Sequence, residues 1–106
     1  MGPVIDDAAK IAFYHHVHRK NNGANEPRWR GVRVVKFPTD LILYAQAIFD
    51  LRPDWIIETG TRFGGGSLFF GDMLELSGAA GGVISIDVRD WGAPPHPRVE
   101  YVIGSS

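Results

Sequence analysis

Residues 54–67 read D-W-I-I-E-T-G-T-R-F-G-G-G-S, and this stretch decides the fold. Trp55, Ile56 and Ile57 form a continuous apolar run, the pattern of a parallel strand covered on both faces. The run ends in an acid, Glu58. A glycine-rich loop follows, and then Ser67, a residue type that can start a helix. A strand that hands a glycine loop to a helix start is an arrangement suited to a small ligand. The loop glycines let the backbone turn sharply and come close to that ligand. Free N–H groups at the helix start attract an anionic group, either carboxylate or phosphate.

The flanking sequence extends this unit in both directions. Upstream, Leu41, Tyr44, Ala45, Ile48 and Leu51 follow helical spacing. Pro38 precedes that helix, Thr39 is its expected N-cap, Asp40 suits its positive end, and Pro53 stops it. Downstream, a helix is expected from Ser67 to Leu76, stopped by Gly78. Val83-Ile84-Ser85-Ile86 reads as a second strand entered through Gly81-Gly82. Pro94, Pro95 and Pro97 forbid regular structure in the next connection, and Val99–Ile103 is a third strand ending at Gly104. Strands joined by a helix of this length form a right-handed parallel βαβ unit. The expected architecture is therefore α/β: a three-layer, Rossmann-like half-fold with a parallel three-stranded sheet of order 3-2-1 and flanking helices.

The rest of the chain is less regular. Asp6 or Asp7 can cap a helix running to Lys20, and residues 21–37 read as irregular, punctuated by Gly23, Pro27 and Gly31. The organisation is read as an N-terminal helix and irregular segment over 1–37 and a cofactor-binding domain over 38–106. With 106 residues, the chain suits one small core. A net charge of −1 gives no overall field toward nucleic acid or an acidic membrane. The chain has no cysteine, which excludes disulfide and thiolate chemistry. No apolar run reaches membrane-spanning length. The expectation is a cytoplasmic protein with a small-molecule ligand and no nucleic-acid or membrane partner.

Three features sit in order at the ends of successive strands. Glu58 with Gly60, Gly64, Gly65 and Gly66 comes first. The spacing is not G-x-G-x-x-G, because three non-glycine residues follow Gly60, which weakens a dinucleotide reading. An acid two positions before the first glycine fits a ligand carrying an ammonium as well as a carboxylate. The methionine part of S-adenosylmethionine has both. Asp87, at the end of the second strand, lies 21 residues beyond Gly66. Its two oxygens can accept both hydroxyls of a ribose. Gly104-Ser105-Ser106 closes the third strand, where an adenine ring has room.

These residues resemble the cephalosporin hydroxylase-type branch of class I S-adenosylmethionine-dependent methyltransferases. The resemblance covers residues 28–106. It rests on Lys36-Phe37-Pro38-Thr39-Asp40, Arg52-Pro53-Asp54, Ile57-Glu58-Thr59-Gly60-Thr61 with Gly65-Gly66-Ser67, Val83-Ile84-Ser85-Ile86-Asp87, His96-Pro97-Arg98 and Gly104-Ser105-Ser106. Trp29 and Gly31 join the set. The resemblance implies a cofactor-binding role for Glu58, Gly60, Thr61, Gly64, Gly65, Ser67, Asp87 and Ser105. It also implies further strands and helices after the position of Ser106, carrying most of the acceptor pocket and, where a metal is used, its acidic ligands. A divalent metal is not supported by these residues alone, and no catalytic residue is assigned.

Two functional readings follow. In one, the chain is the cofactor-binding half of a methyltransferase-like enzyme acting on a small-molecule acceptor. In the other, it is a non-catalytic α/β binding or assembly module. A half-sheet leaves its first strand with a free edge, which invites pairing with another chain, so a homo-oligomer is expected. Other candidates rank lower. His15, His16 and His18 form a possible metal cluster without a matching acid. Arg28, Arg30, Arg33 and Lys36 around Trp29 read as a solvated loop rather than a nucleic-acid patch. His96 between prolines reads as a structural turn rather than a general base.

Overall fold

The computed structural model describes residues 27–104. It opens with a small antiparallel hairpin, β1 (Arg28–Trp29) and β2 (Val32–Arg33), turning through Arg30 and Gly31 at positive φ. Helix α1 (Pro38–Leu51), strand β3 (Trp55–Thr59), helix α2 (Gly65–Ser77) and strands β4 (Gly82–Asp87) and β5 (Val99–Ile103) follow. The helix expected between Asp6 or Asp7 and Lys20, and the histidine cluster within it, lie outside the described residues.

The sheet is parallel throughout, with order β3-β4-β5. This is the expected 3-2-1 order of an α/β half-fold. Register pairs Glu58 with Ser85 and Ser85 with Tyr101, so three inward side chains lie in one row. Alternation along each strand then sorts the sheet faces. Val83, Ile56 and Val99 meet Phe69, Phe70, Met73 and Leu74 of α2 and Ile48 of α1 in one apolar core. On the opposite face, Trp55 and Ile57 are 60% and 68% exposed, because both described helices lie on the core side. The expectation of a strand covered on both faces is therefore met on one face among the described residues.

Element boundaries differ from expectation where backbone chemistry outweighs side-chain capping. Helix α1 starts at Pro38, not after Thr39. Phe37 is the N-cap, with the extended backbone that a following proline imposes. The α1 exit is Arg52, at φ 46, whose N–H donates to the Ile48 carbonyl. Helix α2 begins two residues before Ser67. Its N-cap is Gly64 at φ 94, a conformation that favours glycine. At its far end Gly78 and Ala79 return N–H bonds to Glu75 and Leu74, as in a left-handed C-cap. The Arg98 guanidinium covers the carbonyls of Ala79 and Gly81. It thus ties the entry of β5 to the turn that leads into β4.

Residues 28–33 form a hairpin rather than an irregular, solvated loop, while residues 34–36 beyond it are irregular as expected. Trp29 stacks edge-on against Phe69 with ring centroids 5.0 Å apart, and its indole N–H donates to Asp72 at 2.8 Å. Val34 is fully buried. Trp29 and Val34 supply the apolar contacts that a solvated loop lacks, so the hairpin docks on α2 and its cations reach specific partners.

Candidate functional site

The carboxyl ends of β3 and β4 carry the chemistry. Glu58 points to the core side and is buried among three donors. Ser67 and Ser85 donate to its Oε1 at 2.5 and 2.7 Å. The Lys36 ammonium lies 3.0 Å from Oε2. Thr61 and Ser85 hydroxyls are 2.6 Å apart. Because the Ser85 proton already serves Glu58, Thr61 is the donor of that bond. A buried carboxylate is tolerated only when it is paired and hydrogen-bonded in this way. Ser67 therefore does not cap α2. Its hydroxyl is drawn inward, and Gly64 takes the cap position.

A cleft of about 240 Å³ opens beside this cluster, lined by Arg33, Val35, Lys36, Glu58, Thr59, Gly60, Thr61, Arg62 and Gly66. Its wall combines the glycine loop with the segment just after the β-hairpin. Gly60 sits at φ 82 with open space where a Cβ would project, so the backbone is bare on the cleft side. Gly65 has a different reason to be glycine. A Cβ there would lie 2.3 Å from the Arg33 carbonyl, because the end of β2 crosses directly over the helix start.

Asp87, at the end of β4, accepts the Arg62 N–H at 2.9 Å and the Arg89 N–H at 3.4 Å. These backbone bonds, Arg62 first, hold its carboxyl below the usual range. Asp87 thereby fixes the glycine loop while its carboxylate keeps free lone pairs toward solvent. Gly104 continues the ladder by donating to the Asp87 carbonyl. Ser105 and Ser106 lie outside the described residues.

The structure thus brings Glu58, Gly60 and Thr61 together on one cleft. Asp87 joins them through Arg62. Gly64, Gly65 and Ser67 act from behind, shaping and supporting the loop. Lys36, Arg33, Arg62 and Ser85 were not singled out as site residues from the sequence. Ser85 had a readable signal: a hydroxyl at an inward position of the run V-I-S-I, in step with Val83. Lys36 stood in the Lys36-Phe37-Pro38-Thr39-Asp40 motif of the resemblance, but only the fold brings it to Glu58.

A second polar network lies behind the hairpin. His96 Nδ1 accepts the Arg98 N–H at 3.0 Å, which leaves the ring hydrogen on Nε2, donated to Asp72 Oδ1 at 2.8 Å. His96 is therefore a structural turn residue, as expected. Partial burial raises the Asp72 pKa. Hydrogen bonds from Trp29 and His96 and the Arg30 charge outweigh it, so the net shift is downward. Asp72, Glu75 and His96 bring ligand-type atoms within 4.8 Å of one another. The imidazole nitrogen facing the acids carries a hydrogen, and Asp72 already accepts from Trp29, Arg30 and His96. This donor set suits a hydrogen-bonded strut rather than a cation.

Among the described residues no helix is long and apolar enough to cross a membrane.

Comparison with known proteins places this geometry in a family. The family model described as Rhamnosyl O-methyltransferase/CmcI matches residues 21–106. A rhamnosyl O-methyltransferase of Mycobacterium leprae (strain TN) is 32% identical over 85 residues, covering 80% of this chain and 37% of that protein. The rhamnosyl O-methyltransferase of Mycobacterium tuberculosis (strain ATCC 25618 / H37Rv) is 26% identical over 82% of this chain and 36% of its own length. A CmcI structure with SAH superposes with a TM-score of 0.69 at 28% identity, over 74% of this chain and 43% of that one. A CmcI structure with Mg and SAM gives 0.64 at 29% identity, over 76% and 36%. The chain spans little more than a third of the length of these curated relatives. Within that span, the strand–loop–helix around Glu58 and the strand ending in Asp87 belong to the Rhamnosyl O-methyltransferase/CmcI family of methyltransferases.

Proposed function

We propose that this chain forms the S-adenosylmethionine cradle of a methyltransferase acting on a small-molecule acceptor. The observation that carries the reading is the placement of Glu58, Gly60 and Asp87 around one loop at the carboxyl edge of a parallel sheet. That edge is where α/β sheets take ligands. The donor set fits the group. Asp87 has acceptor oxygens for ribose hydroxyls, Glu58 has a buried carboxylate for an ammonium, and Gly60 leaves the backbone accessible. When bound, S-adenosylmethionine supplies an electrophilic methyl group on its sulfonium. The residues of this chain orient the cofactor; the acceptor and the group that deprotonates it meet the cofactor from outside the cradle. Cytoplasmic residence belongs to the same proposal, since S-adenosylmethionine is an intracellular metabolite.

Calorimetric titration of the 106-residue chain with S-adenosylhomocysteine tests the reading. Saturable one-to-one binding is expected, abolished by Asp87→Ala with the fold intact by circular dichroism. Absence of binding at millimolar ligand overturns it.

One further observation favours the assembly reading beside the first. The outer edge of β3 has no strand partner among the described residues. Next to it, Tyr44, Ile48, Leu51, Trp55, Ile57 and Phe70 line an apolar groove of about 410 Å³. An unpaired apolar edge favours association, and a second copy of the chain is the occupant expected here. Light scattering at micromolar concentration should show a dimer or larger species. A stable monomer there excludes assembly through this edge.

A further inference from the structure

The cleft wall carries a fixed pair of opposite charges. Lys36 Nζ and Glu58 Oε2 are 3.0 Å apart, and both residues line the same opening. Their exposures differ: the Lys36 side chain is 21% exposed and Glu58 4%. Lys36 is thus the more accessible member of the pair; it stands between this cleft and the neighbouring apolar groove, where its ammonium lies 5.6 Å from the Phe70 ring centroid. Lys36 sits where a lysine gains little from the backbone. The starting end of α2 is the positive end of a helix dipole, which disfavours a cation. Gly66, in the first turn of α2, has Lys36 Cε and Glu58 Oε2 within 3.1 and 2.8 Å of its Cβ position. The lysine is thus pressed against that helix end. Arg33 and Arg62 line the same cleft, so its charged walls comprise three cations and one carboxylate.

A side-by-side cation and anion on a wall is the charge-reversed image of an α-amino acid, which carries an ammonium and a carboxylate on one carbon. Lys36 Nζ has three N–H donors, and one serves Glu58. The remaining donors can meet a carboxylate, while Glu58 Oε2 keeps a second lone pair for an ammonium.

We propose that Lys36 is the carboxylate-selecting residue of the cleft, paired with Glu58 as the ammonium-selecting one. This assignment rests on the cofactor reading and deepens it. The ligand class is a nucleoside bearing an intact α-amino-acid end, and the residue that demands the carboxylate comes from the segment after the hairpin, not from the glycine loop.

The test is a selectivity ratio measured by calorimetry on the 106-residue chain. The two probes are S-adenosylhomocysteine and its decarboxylated analogue, which keeps the ammonium. The wild-type chain should prefer the intact compound by roughly tenfold to a hundredfold, the range of a hydrogen bond to a charged group. In Lys36→Met the ratio should fall to about threefold or less, through loss of affinity for the intact compound alone. In Lys36→Arg, which keeps the charge, the preference should persist. Equal weakening of both probes in Lys36→Met assigns Lys36 a merely structural role and overturns the proposal. So does a wild-type ratio near one, a result that holds even where the methionine variant fails to fold. Failure of the wild-type chain to bind S-adenosylhomocysteine at all overturns the cofactor reading itself.

Discussion

Two polar networks flank the hairpin, and they are built to opposite ends. The Glu58 network gathers Lys36, Ser67, Ser85 and Thr61 at the mouth of a cleft. The Asp72 network gathers Trp29, Arg30 and His96 around the middle of α2 and closes on itself. Both hold a carboxylate with three partners, so hydrogen-bond count does not separate structure from function. The difference lies in what remains unused. Trp29 and His96 hold Asp72 through rings seated in the fold, and Arg30 adds an exposed guanidinium at 3.4 Å. On the Glu58 side, Lys36 retains donors, Gly60 has open space, and Asp87 reaches solvent. A charged pair beside an open cleft marks the site; a cross-link between the hairpin, α2 and the entry of β5 marks the strut.

Truncating Glu58 should have the largest effect on stability. Glu58→Ala takes the acceptor from two buried hydroxyls and the counter-charge from the partly exposed Lys36 ammonium. A loss of about 3–5 kcal/mol is expected in urea unfolding, a large part of the stability of a small domain. Glu58→Gln keeps an acceptor for Ser67 and Ser85 but turns the charge off beside Lys36, and should cost less. If both variants unfold as the wild type does, the network is not a structural keystone and the comparison fails. Next comes Gly65→Ala, which drives a methyl into the Arg33 carbonyl. It should cost about 1–3 kcal/mol and weaken ligand binding as well, because the displaced β2 carries Arg33 and the segment that carries Lys36.

On the strut, His96→Ala leaves the Arg98 N–H without its partner and Asp72 Oδ1 with only the 3.4 Å contact to Arg30. A loss of about 1–3 kcal/mol is expected, with affinity for S-adenosylhomocysteine within about twofold of wild type. This variant separates the two networks most cleanly. A tenfold loss of affinity with the fold retained would join them into one unit and break the distinction.

The strut was hard to read from sequence for the same reason that it is not a site. His96, Asp72 and Trp29 are far apart in the chain, and no periodicity links them. Only the docking of a two-residue-strand hairpin on α2 brings them together. The α/β core, by contrast, was legible because its signals are local. The β3 run, the α1 spacing and the proline-rich connection each report their own backbone. The loop was legible in residue type but not in role. Gly64 and Gly65 read as ligand-approach positions, yet Gly65 accommodates the chain's own β2. Ser67 read as a helix start, yet serves a buried acid. A sequence shows that a backbone must come close to something, but it does not say to what.

The smallest expected effect on stability distinguishes the two acids by pH. Asp72 and Asp87 both have a lowered pKa in the folded state. A depressed carboxyl contributes stability above its unfolded pKa, near 3.8, and loses that contribution as pH falls through the folded value. The contribution of these two carboxylates to wild-type stability should be constant above about pH 5 and fall below it. Asp72→Asn should flatten that acid limb, since protonation then has one fewer native carboxylate to penalise. Asp87→Asn should leave the limb almost unchanged, because water screens its carboxylate and the backbone N–H groups it holds can turn to solvent. The binding readout should run the other way. Asp87→Asn is expected to lower affinity for S-adenosylhomocysteine, and Asp72→Asn to leave it intact. Equal acid limbs in both variants would mean that Asp72 is no more embedded than Asp87, and the contrast between strut and site would then rest on ligand binding alone.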